Sequence, residues 1–164
     1  EPCQEIVSAA YKNNNYPDYL DFSGSSGFQV ASDLAKSDVE SLRLSLARNS
    51  STPPSILSEL AKDKISLIRA AVAENSSSPA QSLKELALDV EGIVRINVAR
   101  NKSCPLGATE SFLISPFHEY REAVASSSET PSILLRFLAE DADGQVSKAA
   151  RGEIRRRSRS AVNA

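Results

Sequence analysis

The sequence predicts an all-α solenoid of about five 26-residue helical repeats, and three observations carry that prediction. LARNSSTPPSILSELAKD (46–63) returns 26 residues later as VAENSSSPAQSLKELALD (72–89), identical at ten of eighteen positions. The same step aligns Pro53, Pro79, Pro105 and Pro131, which are four of the eight prolines, and also Arg43, Arg69, Arg95 and Arg121. Between these markers the apolar residues fall at i, i+3 and i+4, the spacing of one helix face. Self-similarity at a fixed period is the signature of units that bury their apolar faces by stacking on their neighbours.

Residues 1–26 lie outside the period and read as an N-terminal cap and loop. Gln4 to Lys12 suits a short helix, followed by NNNYPDYLDF and SGSSG as turn and linker. Tyr11, Tyr16, Tyr19 and Phe22 fall within twelve residues. They are expected to lay rings over the first repeat, with an aromatic recognition patch as the sharper alternative.

The repeat region spans 27–154, with units starting near Gly27, Pro53, Pro79, Pro105 and Pro131. Thr52-Pro53, Ser78-Pro79 and Thr130-Pro131 place an N-cap residue before a proline at the first helical position. Leu57, Leu60 and Ala61, or Leu83, Leu86 and Ala87, form the apolar face that follows. Asp63, Asp89 and Asp141 close that segment in a polar turn. A second stretch, Ile68, Ala71 and Val72 or Val94, Asn97 and Val98, ends at Asn49, Asn75 or Asn101 in successive copies. Asn tolerates the left-handed conformation that ends many helices. The segments are short enough for α/α or α/3₁₀ pairs.

In the fourth copy Ser115 and Pro116 replace the Asp turn, and Phe117, His118 and Tyr120 add bulk. In the fifth, Ser147 stands in the Arg column. Residues 155–164 read as a basic, disordered tail.

The motif Arg69, Val72, Ala73, Asn75, then Pro79, Leu83, Leu86, Ala87 and Asp89, recurring from Arg95, resembles the variant leucine-rich repeat family. The resemblance covers about residues 27 to 154. It implies a right-handed superhelix of alternating α and 3₁₀ helices with a general role in interaction. One member carries an iron–sulfur cluster in a cysteine-rich segment before the repeats. Here that segment holds only Cys3, so no cofactor is expected.

Composition narrows the function. The core must be built from Leu, Ile, Val and Ala, since Trp and Met are absent and aromatics are 5%. No apolar run reaches the roughly 18 residues of a membrane span, and no signal segment opens the chain. Cys3 and Cys104 are too few and too far apart for a disulfide framework or a metal site, and cytoplasmic placement is expected. Net charge is −2, but residues 145–164 carry +5, leaving −7 for the rest.

No catalytic constellation is present. His118 is the only histidine and has no identifiable nucleophile or orienting carboxylate. The Asn-x-Ser triplets at Asn49, Asn75 and Asn101 read as turn chemistry copied by the repeat. The Arg column, with an Asp six residues earlier in Asp63/Arg69 and Asp89/Arg95, predicts an inter-repeat ladder of charge-assisted hydrogen bonds. The expected function is therefore a non-catalytic scaffold for a protein partner. Its contacts are expected at the polar, variable column Ser66, Gly92, His118 and Gly144, with Arg69, Arg95 and Arg121. The alternative is nucleic-acid binding through the Arg column and Arg155, Arg156, Arg157 and Arg159, which would show a steep salt dependence.

Overall fold

The computed structural model describes residue 22 and residues 24–162. These form ten α-helices, and no strand occurs among them. In order they are α1 (Gly24–Ala35), α2 (Glu40–Arg48), α3 (Pro54–Leu60), α4 (Ser66–Glu74) and α5 (Ala80–Leu86), then α6 (Gly92–Arg100), α7 (Leu106–Leu113), α8 (His118–Ser126), α9 (Ser132–Leu138) and α10 (Gly144–Val162). The even-numbered helices start at 40, 66, 92, 118 and 144, reproducing the 26-residue step of the sequence.

The chain divides into two compact units, Glu1–Ser82 and Leu83–Ala164. In the first, α2 packs on α4, and α1 and α3 lie against them. Leu42, Leu46, Ile56, Leu57, Ile68 and Val72 are fully buried there. In the second, α6 packs on α8 and α8 on α10, with α7 and α9 alongside. Leu83, Val94, Val98, Val124, Leu135 and Val146 fill that core. Each buried Leu or Ile contributes about 1.5–3 kcal/mol relative to exposure, so the stack of aliphatic columns supplies the main driving force in each unit.

Of the α/α and α/3₁₀ pairs that the segment lengths left open, the short helices take the first: Leu57 and Ala61 donate to Pro53 and Leu57, and Leu135 and Ala139 to Pro131 and Leu135, all one α-turn apart. Other local expectations are corrected. The N-cap of α3 is Pro53 itself, in extended conformation, so Thr52 stands one residue outside the helix. Its hydroxyl reaches backwards instead, donating to Leu46 O at 2.6 Å; Ser78 and Thr130 do the same to Val72 and Val124. Each adds a second bond to a carbonyl of the preceding helix's last turn, which also accepts from Asn49, Asn75 or Ser127 N–H.

Asn49, Asn75 and Asn101 are extended, with φ of −72°, −67° and −68°. Their side-chain oxygens accept from Ser51, Ser77 and Ser103 N–H two residues on, and Asn75 Nδ2 donates to Ala47 O and Asn49 O of the preceding copy. A buried polar group needs such partners. The Asn is therefore selected for its amide, and its backbone tolerance is not used.

The SGSSG linker is largely helical, since Gly24–Gly27 form the first turn of α1. Gly27 is required there, because a Cβ would meet Phe22 backbone at 2.6 Å. Phe22 is buried, while Tyr11, Tyr16, Tyr19 and the helix expected at Gln4–Lys12 lie outside the described residues. The tail expected beyond Ile154 is helical to Val162. Arg157 ties it down by donating to Thr130, Ser127 and Ser128 carbonyls.

Candidate binding surface

The four residues singled out at the variable column are the first residues of α4, α6, α8 and α10. Gly144 is exposed, and Ser66 and Gly92 are half-buried. The His118 side chain is half-exposed, with Nε2 3.7 Å from Glu119 and a covered Nδ1 that has no hydrogen-bond partner.

The Arg column forms charge-assisted hydrogen bonds, but with a different carboxylate from the one expected. Arg43 Nε binds Asp63 Oδ2 at 2.6 Å, twenty residues ahead, and Arg43 Nη1 donates to Ser37 O. Arg121 repeats this with Asp141 at 2.7 Å and Ser115 O. The residue six positions earlier is therefore met through its backbone carbonyl, as Arg69 Nη1 meets Asp63 O at 2.8 Å. In Arg43 and Arg121 the guanidinium spans the turn to the carboxylate of the next copy.

Hydrogen bonding to Asp63 raises the Arg43 pKa against the cost of burial, and Asp141 does the same for Arg121. Burial pushes the Asp63 carboxyl up, but the bonds from Arg43 and from Ile65 N–H outweigh it and hold the group below its ordinary value. For Asp141 the Arg121 hydrogen bond is the leading cause of the same downward shift.

Arg95 departs from this pattern because Ser115 occupies the Asp position. Its Nε donates to the Tyr120 hydroxyl at 3.1 Å, its guanidinium carbon sits 5.4 Å from the centre of that ring, and Nη1 is held by the Asp89 and Val90 carbonyls. Tyr120 stacks on Phe112 at 5.6 Å and takes Phe117 edge-on at 6.0 Å. The bulk noted at 117–120 thus replaces an ion pair with an aromatic cluster.

Around that cluster lies a surface that the column at 66/92/118/144 did not indicate. The turn before α6 exposes Leu88 and Val90 at 81% and 86%, and α6 adds Ile93. The turn before α8 exposes Ile114 and Phe117 at 83% and 59%. The Arg95–Tyr120 bond and the packing of α6 on α8 place both turns on one edge of the second unit. The sequence signal was the column 36/62/88/114, which reads Lys, Lys, Leu, Ile: a solvent position that turns apolar in two adjacent copies. Contiguous exposed apolar patches are a general feature of interaction surfaces.

The residues named for nucleic acid are largely engaged. Arg156 and Arg157 both bind Glu153, at 2.6 and 2.7 Å. The Arg156 hydrogen bond is the largest reason that the Glu153 pKa falls to about 2. Arg155 and Arg159 are exposed. Cys104, a free thiol, occupies the column of Thr52, Ser78 and Thr130; burial pushes its pKa up against a hydrogen bond from Thr109. Asn49, Asn75 and Asn101 are buried, with their side-chain oxygens engaged in the turns. Among the described residues no group of three or more side chains is placed to hold a metal ion, and no helix is long and apolar enough to cross a membrane. No family model, curated protein or solved structure matches the chain.

Proposed function

We propose that the chain is a non-catalytic scaffold, a solenoid of about five 26-residue units that takes a protein partner on the apolar turn edge of its second unit. The observation that carries this reading is the exposure of Leu88, Val90 and Ile114 at positions where the equivalent turns of the first unit present Lys36, Lys62, Asp38 or Lys64; exposed Phe117 lies beside them, at a position that is Val39 and Ile65 in the first unit. Helix starts in steps of 26 support the solenoid and the likeness to the variant leucine-rich repeat. The α-helical short segments depart from that family's 3₁₀ pattern. A reducing, cytoplasmic setting suits the Cys104 thiol.

The test is affinity capture with and without nuclease, comparing wild type, Ile114→Ser/Phe117→Ser and Arg155→Ala/Arg159→Ala. A partner lost only by the apolar variant supports the reading. Binding that disappears with nuclease or with the arginine variant favours nucleic acid, for which the exposure of Arg155 and Arg159 speaks.

A further inference from the structure

The apolar edge is also strongly acidic. Its three turns in the second unit, 88–93, 114–119 and 140–145, contain six carboxylates and neither Lys nor Arg. The equivalent turns of the first unit, 36–41 and 62–67, contain three carboxylates and three lysines. The carboxylates are not all spent internally. Asp141 is bound by Arg121, and Asp143 accepts from Gln145 and Val146 N–H. Glu91 and Glu119 are exposed beside Ile93 and Phe117. The three turns share one edge because Arg95 joins the first to Tyr120 and Arg121 joins the second to Asp141.

The basic helix α10 begins on this edge, and its Arg151 reaches back to Glu140 there at 3.7 Å, but its other arginines lie further along. Lys148 lies about one turn inside α10, and Arg155 lies about 16 Å along the axis from Gly144, well beyond the roughly 8 Å over which exposed charges are screened at physiological salt. The unit is thus polarised, with an acidic, apolar edge at one end of α10 and a basic surface further along it.

Resting on the binding reading above, we propose that the partner is a cationic apolar segment, in which Lys or Arg side chains flank large aliphatic or aromatic residues. The apolar residues cover Leu88, Val90, Ile114 and Phe117, and the cations meet Glu91 and Glu119. Opposed charge at the rim speeds encounter and selects partners, while the apolar centre supplies affinity. The same field disfavours phosphate-bearing partners at this edge.

The experiment uses the full chain and two amphipathic helical peptides with identical Leu positions, one with Lys and the other with Glu at the polar positions. The Leu/Lys peptide is expected to bind at least about tenfold tighter than the Leu/Glu peptide, and to weaken as salt rises from about 50 to 300 mM. Glu91→Lys/Glu119→Lys is expected to remove most of that preference, and Ile114→Ser/Phe117→Ser to weaken binding of the Leu/Lys peptide. All four substitutions are at exposed positions, and the salt titration on wild type needs no variant. Equal binding of the two peptides, or a preference that survives both charge reversal and salt, overturns the cationic assignment and leaves the scaffold reading intact. Leu/Lys binding that is unaffected by Ile114→Ser/Phe117→Ser overturns the apolar edge as the binding surface and the assignment with it.

Discussion

Asn75 shows how much one side chain does in a stacked helical turn. It closes the turn to Ser77 and crosses to two carbonyls of the preceding copy, all while buried. Asn75→Ala removes the partner of Ala47 O and of Ser77 N–H, while Asn49 O keeps Thr52 N–H, and is expected to cost about 2 kcal/mol, read as a lower urea midpoint at unchanged slope. Asp63→Ala is expected to cost about 3 kcal/mol, because it strands the buried Arg43 guanidinium. The same carboxylates set the acid limb of stability. Asp63 and Asp141 lie below their ordinary value of 3.8, and Glu153 falls from 4.5 to about 2. Groups depressed on folding contribute fully above their unfolded values and lose that contribution as pH falls toward the folded ones. Tm is therefore expected to hold from neutrality to about pH 5 and to drop steadily toward pH 2, with a shallower drop in Asp63→Ala. The sequence exposed the Arg, Asp and Asn columns because period alone reveals them. It did not expose their pairing: Asp63 is six residues before Arg69 and twenty after Arg43, and only the turn geometry selects the second.

At the scale of elements, aliphatic spacing located the helices, since Leu57, Leu60 and Ala61 or Ile68, Ala71 and Val72 define one face wherever the chain is helical. Boundaries were less legible. Thr-Pro reads as an N-cap pair from local chemistry, but the extended Pro53 takes the cap position and frees the hydroxyl for the helix behind it. The end of α10 was hidden for a related reason. RRRSRS has the composition of a solvated tail, and what orders it is Arg157 reaching about one 26-residue unit back to the turn at 127–130. Arg157→Ala is expected to destabilise by about 1–2 kcal/mol and to raise amide exchange in the last turns of α10 while leaving α6 protected. Arg155→Ala, at an exposed position of the same helix, is expected to leave both unchanged.

At the scale of the whole molecule, chemistry is distributed unevenly over a periodic framework. Buried columns change little from copy to copy because each must fit its neighbour: the Ala column 47, 73, 99 and 125 is buried throughout. Solvent columns vary from copy to copy, and the proposed binding edge lies on such columns. The variable column at the helix starts borders the proposed edge, but its residues are small or half-covered, and the apolar turn residues beside it carry the exposed surface. Reading the edge from sequence required comparing turns as sets rather than positions one at a time. The measurement that tests the account most directly is a nitrogen–proton NMR titration of the full chain with the Leu/Lys peptide. Saturable shift changes gathered on residues 88–93 and 114–119 are the predicted result. Changes gathered on α10, or scattered without saturation, would contradict it.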